Sequence, residues 1–198
     1  MKQIAQGAEA ILIRKNKTLI KRRIPKGYRH PDLDKKIRIR RTRSESKLLE
    51  KAGKIINMPK VLNVRDSEID MEFINGKKLS ECLDKFPLGR QEKICFLLGE
   101  NIAVLHENDI VHGDLTTSNM ILKNNKIYFL DFGLGFNSIR IEDKAVDLHL
   151  LRQALESKHF MHWQRLFDSV LLGYKKLGDE SVILQLKKVE SRGRYKKH

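Results

Sequence analysis

His112-Gly113-Asp114-Leu115-Thr116-Thr117-Ser118-Asn119 and, a short strand–turn–strand later, Asp131-Phe132-Gly133 decide how this chain is read. Taken singly, an Asp or Asn in a loop makes turns by bonding its own backbone, and Phe-Gly merely ends a strand. Their order says more. Met120–Lys123 and Lys126–Leu130 read as strands about the turn Asn124-Asn125, and a hairpin returns the chain to where it started. The oxygens of Asp114, Asn119 and Asp131 are thereby brought to one place. Arg90–Asn108 precedes them as a long helix with Ile94, Leu98, Ile102 and Leu105 on one stripe.

Outward from that loop the texture divides in two. Residues 8–14 and 18–22 read as strands about Lys15-Asn16-Lys17. Residues 23–32, with Pro25, Gly27 and Pro31, form a connection. Leu33–Ala52 reads as one long helix closed by Gly53, with Leu33, Ile37, Leu48 and Leu49 as apolar contacts and a basic middle, Arg38–Arg43. A second strand pair, 61–66 and 68–74, ends at Asn75-Gly76. Leu79–Phe86 is a short helix. From about Glu142 the chain is helical, with stripes through Val146, Leu150 and Leu151, then Leu166, Val170 and Leu171. Residues 191–198 are a basic tail. The predicted fold class is α+β: a strand-rich N-lobe over 1–75, a hinge at Ile74–Gly76, and a helical C-lobe over 76–198.

The chain's 198 residues, 40% hydrophobic, suffice for a core shared by two small lobes. No apolar run approaches the roughly 20 residues a bilayer crossing needs, and no secretory signal opens the sequence. Cys82 and Cys95 are too few for a disulfide framework and lack metal-ligand spacing; the expected setting is the cytoplasm. Forty Lys and Arg against 25 Asp and Glu leave a net +15. A Lys- and Glu-rich surface of the thermophile kind explains many charges, but not the excess of one sign, which favours a polyanionic partner.

The two motifs resemble the catalytic and magnesium loops of the protein-kinase superfamily, H-x-D-L-x-x-x-N and D-F-G, which implies a minimal two-lobed protein-kinase-like fold. Phosphoryl transfer needs positioning and charge neutralisation more than covalent chemistry. The resemblance implies Asp114 as the catalytic carboxylate, accepting a proton from the attacking hydroxyl or water. Asn119 and Asp131 would hold Mg²⁺ (or Mn²⁺) beside ATP, since these hard cations want oxygen ligands. His112 reads as a packed brace, not a base. Lys21 resembles the strand lysine of V-A-I-K, chosen over Arg22 and Arg23 by alternation and motif match, with Glu45 as its ion-pair partner. The rival for Glu45 is a surface pair with Arg41. Gln6-Gly7-Ala8-Glu9-Ala10 stands where a glycine-rich loop would cover the phosphates, with one glycine for the usual three. Backbone groups of Glu72 and Ile74 are the candidate adenine contacts.

Three further stretches narrow the family: Lys26-Gly27-Tyr28-Arg29-His30-Pro31-Asp32-Leu33-Asp34, Arg41-Thr42-Arg43-Ser44-Glu45 and Glu190-Ser191-Arg192-Gly193-Arg194-Tyr195. With H-G-D-L-T-T-S-N they resemble the small atypical kinase of the KEOPS complex, related to the RIO kinases, over essentially the whole chain. That resemblance implies ATP hydrolysis or Ser/Thr phosphorylation supporting N6-threonylcarbamoyladenosine formation at position 37 of tRNAs. The implied partners are a large catalytic subunit, a small helical subunit and tRNA, with no membrane. In some archaea this kinase is fused to the large subunit, so the chain could be part of a longer polypeptide. Arg192, Arg194, Tyr195, Lys196 and Lys197, with Arg38–Arg43, are candidate contacts for tRNA phosphates or an acidic partner face.

Departures from ordinary protein kinases carry meaning. Gly113 replaces the arginine that clamps a phosphorylated loop, and only 13 residues separate Gly133 from Asp147, leaving no platform for a peptide. Asp147 resembles the aspartate that braces the catalytic loop, although a charge at a helix N-terminus is a sufficient account. Two other readings stay open: a small-molecule kinase sharing H-G-D-x-x-x-x-N, and a nucleotide-binding scaffold without catalysis.

Overall fold

Ile11, Leu12, Ile13, Leu19 and Ile20 give the N-terminal strands the apolar, β-branched character that suits a pleated, half-buried surface. In the computed structural model, which describes residues 1–194 (side chains to Arg192), β1 (Lys2–Gln6), β2 (Ala10–Lys15), β3 (Thr18–Arg23), β4 (Val61–Arg65) and β5 (Glu68–Glu72) form one antiparallel sheet. Its order is β1-β2-β3-β5-β4. Helix α1 (Pro31–Ala52) joins β3 to β4 and buries Leu48, Leu49 and Ala52. It starts two residues before the expected Leu33, because Pro31 sits at the first helical positions, where a missing N–H costs nothing. Leu33 itself is exposed, so it is not a core contact.

The C-lobe begins with β6 (Lys77–Lys78), α2 (Leu79–Cys82) and a 3₁₀ turn, where a single short helix was expected. Helix α3 (Leu88–Glu107) leads to β7 (Ile110–Val111) and a 3₁₀ turn at Thr117–Asn119. The hairpin β8 (Met120–Lys123) and β9 (Lys126–Phe129) follows, then β10 (Phe136–Asn137), α4 (Ile141–Lys158), α5 (Trp163–Leu177) and α6 (Glu180–Arg194). Strand β10 pairs with β7, and β6 pairs with β8. Helices α3 and α5 meet at two glycines. A Cβ on Gly99 would lie 2.0 Å from the Val170 carbonyl oxygen, and one on Gly173 2.0 Å from that of Phe96. Only glycine allows such close approach.

One apolar core runs from Leu48 and Ile69 in the sheet lobe through Leu98, Ile102 and Phe132 to Val170 and Leu186. The buried side of α4 is Ala145, Leu148, Leu151 and Leu155, while Val146 is exposed, which corrects the expected stripe. Strand β1 was not expected, because all five of its residues are exposed and no periodicity marks it. Two-residue β7 and β10 are likewise too short to show a period, and β5 stops at Glu72, not 74. The basic tail is helical as far as Arg194; Tyr195, Lys196 and Lys197 lie outside the described residues. Among the described residues no helix is long and apolar enough to cross a membrane.

Candidate active site

The loop after β7 is held by a buried carboxylate. Asp147, 1% exposed, accepts the His112 N–H at 2.8 Å and the His106 Nε2 contact at 3.2 Å on Oδ2, and the Gly113 N–H at 2.9 Å on Oδ1. It lies in the second turn of α4, which starts at Ile141, so the helix N-terminus does not explain it. His112 accepts the Asp114 N–H on Nδ1 (3.3 Å) and donates Nε2–H to the Leu130 carbonyl (2.9 Å), with its ring 4.5 Å from that of Phe132. A neutral imidazole satisfies both bonds, so His112 ties the loop to the end of the hairpin.

Gly113 adopts φ +78°, and a Cβ there would stand 2.4 Å from the Leu134 carbonyl oxygen. The left-handed backbone and the contact both require glycine. Glycine at this position lets the two loops touch directly. Farther along, Thr117 bonds His159 Nε2 at 3.0 Å, and His159 Nδ1 bonds Asp84 at 2.8 Å.

The hairpin delivers Asp131 beside Asp114 in a left-handed conformation, φ +58°. Its Oδ1 accepts Lys21 Nζ at 2.6 Å and the Gly133 N–H at 3.0 Å. Burial pushes this carboxyl's pKa up, but the Lys21 charge and hydrogen bond outweigh that and hold it below the usual range. Asn119 donates Nδ2–H to the Asp114 carbonyl (3.0 Å) and to Asp114 Oδ2 (2.8 Å). With its amide hydrogens on Asp114, the atom Asn119 can offer a cation is Oδ1.

Across the cleft, Glu45 on α1 is 2% exposed and bonds two cations of β3. Lys21 Nζ meets Oε1 and Arg23 Nη2 meets Oε2, each at 2.6 Å. Arg22 points the other way and pairs with Glu68. Arg41, the rival for Glu45, instead holds Glu9 Oε2 at 2.9 Å. The stretch 26–34 folds on Asp34, which accepts from Arg38 Nε (2.7 Å) and from the Lys26 N–H (3.3 Å). The Arg38 bond lowers the Asp34 carboxyl below its ordinary range. Lys26 is thereby placed to bond the Ala8 carbonyl. A Cβ on Gly7 would meet nothing nearer than 3.7 Å. The loop 6–10 is fastened from its sides by Lys26 and Arg41 and does not depend on glycine.

These groups border a cleft of about 400 Å³: Gln6, Gly7, Ala8, Glu9 and Ala10 above, Lys21 and Arg23 behind, Asp114 and Asp131 below. Asn119 backs Asp114. Glu72 and Ile74 are not in its lining; Glu72 donates its N–H to the Lys60 carbonyl, so its carbonyl is what it can offer a base. Arg192 pairs with Glu142 at 2.8 Å, away from the cleft. Among the described residues no cluster of three His, Cys, Asp or Glu could hold a metal alone. Asp131 and Asn119 supply hard oxygens beside a basic recess, which fits a hard divalent cation that completes its shell with phosphates and water. Sequence reading missed Arg23 and Arg41 as cleft residues, and the only available signal was that Arg23 shares Lys21's face of β3.

A RIO-domain family model matches residues 12–138, which include Lys21, Glu45, Asp114, Asn119 and Asp131. The chain is 42% identical to "KEOPS complex subunit Bud32" of Pyrococcus abyssi, covering 99% of this chain and 97% of that protein. The chain belongs to the Bud32 family of RIO-domain proteins. A Bud32 homologue of Archaeoglobus fulgidus, named as a serine/threonine-protein kinase, is 38% identical over 98% of the chain and 96% of its own length. A tRNA threonylcarbamoyladenosine biosynthesis protein of Methanobrevibacter smithii, named as bifunctional, is 41% identical, and the chain spans 36% of its length. Among solved structures, the streptomycin–ATP–APH(2")-IIa ternary complex matches with TM-score 0.66 at 14% identity, over 98% of this chain and 82% of that one. That likeness shows the kinase-like fold alone.

Proposed function

We propose that the chain is an atypical Ser/Thr protein kinase and ATPase acting on Mg-ATP as a KEOPS subunit in the cytoplasm, supporting threonylcarbamoyladenosine formation at position 37 of tRNA. The lobes 1–75 and 76–198 close on the nucleotide. The observation that carries this reading is the Lys21–Asp131 bond at 2.6 Å beside the Asn119–Asp114 bond at 2.8 Å. It joins the cationic wall of the cleft to the oxygen-bearing one. In this reading Lys21, oriented by Glu45, binds the α- and β-phosphates, and the Gln6–Ala10 backbone covers them. The Glu72 carbonyl and the Ile74 N–H receive the adenine. Asn119 and Asp131 would hold Mg²⁺, which would supply charge neutralisation at the phosphates.

Asp114 accepts the proton of the attacking hydroxyl or water as the terminal phosphoryl group moves to that oxygen and ADP leaves. The short segment after Gly133 favours water, or an acceptor presented by a partner. Membership of a complex is supported by the names of the relatives, and a fused form by the bifunctional relative of which the chain spans 36%; the proposed partners are a large catalytic subunit, a small helical subunit and tRNA. Arg192, Arg194, Tyr195, Lys196 and Lys197 are the proposed tRNA contacts. Their removal is expected to weaken tRNA binding and flatten its salt dependence. The decisive measurement is magnesium-dependent ATP turnover, alone and with partner and tRNA. Asp114→Asn is expected to lower turnover roughly 10²–10⁴-fold with ATP affinity retained, and turnover near that of the unmodified chain would refute the assignment.

A further inference from the structure

Glu45 is shared by two cations, and only one of them has a second anion. Lys21 continues to Asp131. Arg23, 5% exposed, has one side-chain bond among the described residues, from Nη2 to Glu45 Oε2. Its Nε is buried without a partner among the described residues. Native proteins rarely leave such a donor unpaired, and Arg23 is one of the residues that border the cleft. Arg23 Nη2 and Lys21 Nζ both approach the space over Gly133, lying 3.5 and 3.6 Å from where a Cβ would stand.

The register of the sheet orders the backbone of the two residues relative to the hinge. Thr18 at the start of β3 pairs with Glu72 beside the hinge, and Arg22 at its other end pairs with Glu68. The Cα of Arg23, two residues beyond that of Lys21, stands about 7 Å farther from the hinge, while the two charged ends converge on Glu45 and the space over Gly133. A nucleotide whose base lies at the hinge runs its phosphates in that direction. A guanidinium presents paired donors that match phosphate oxygens.

We propose that Arg23 binds the terminal phosphoryl group of the nucleotide, as a second phosphate cation that shares Glu45 with Lys21. The assignment rests on the nucleotide-binding reading above and adds a division of labour: Lys21 serves the inner phosphates, common to ADP and ATP, and Arg23 the outer one. The test is calorimetric titration of the intact chain with Mg-ATP, Mg-ADP and adenosine. Arg23→Met is expected to weaken ATP about 10- to 100-fold and ADP only a few-fold. Lys21→Met should weaken both alike. Arg23→Lys keeps a cation for Glu45 but loses the fork, and should show an intermediate loss of the ATP-over-ADP preference; it serves in place of Arg23→Met should that variant not fold. A preference unchanged within about twofold in both Arg23 variants, with ATP and ADP falling together, would make Arg23 a brace for Glu45 and overturn the proposal alone. Absence of magnesium-dependent ATP binding by the unmodified chain would overturn the functional reading as well.

Discussion

The two walls of the cleft are built by different physics. The lower wall, Val111 to Asn119, is fixed by hydrogen bonds among buried or half-buried groups: Asp147 to two backbone N–H groups, His112 to Leu130, Asn119 to Asp114. The upper wall is fixed by charge: Lys21 and Arg23 on Glu45, Arg41 on Glu9, and Lys26 on the Ala8 carbonyl. The difference teaches where rigidity and response reside. Buried hydrogen bonds respond little to salt, so the brace of Asp147 on the lower wall is expected to hold at any ionic strength. The Glu45 pairs are buried, but Arg41–Glu9 is half-exposed, and such pairs are weak and screened, so a polyanion that competes for Arg41 and Lys26 is expected to re-set the loop 6–10.

Three measurements would break or sharpen this contrast. The largest effect is expected from Asp147→Ala, which leaves three donors facing an empty site. Urea unfolding should show a loss of about 3–5 kcal/mol, and a loss below 1 kcal/mol would mean the lower wall is not braced as described. Gly113→Ala comes next. It forces a Cβ into the Leu134 carbonyl at an unfavourable φ and should cost about 1–3 kcal/mol together with turnover, because Asp114 is the neighbouring residue. Unfolding midpoint and ATP turnover, read together, check it; loss of neither would show that the two loops can separate freely. The smallest effect is expected from Glu9→Ala. Glu9 and Arg41 are each two-fifths exposed, so the variant should lose only about 0.2–1 kcal/mol. The loss should vanish at high salt, and a salt-independent loss would place this pair with the buried bonds.

Much of the lower wall was legible in the residues themselves. Asp114, Asn119 and Asp131 stand at fixed spacings in a loop–hairpin–loop, and local turn chemistry brings such groups together whatever else the chain does. The brace was less legible, since the face Asp147 presents depends on where α4 starts, and it starts at Ile141 rather than beside the aspartate. On the upper wall, alternation and motif match singled out Lys21 over Arg22 and Arg23, although Arg23 shares its face of β3 and its carboxylate, and the partners of the helix were not legible. Arg41 lies one turn from Glu45 in sequence and yet binds Glu9, 32 residues away. The loop's independence from glycine was likewise invisible, because its fastenings come from residues 26 and 41.

The sequence alone determined the residue types, their order and the period of each element, because these are set by side-chain chemistry and by backbone geometry over a few residues. It thereby determined the kinase-like class and the oxygen-bearing trio. Only the tertiary structure decided which carboxylate meets which cation. That choice depends on how α1 docks on the sheet and α4 under the loop, and a hydrogen bond at 2.6–3.0 Å tolerates no error in such docking.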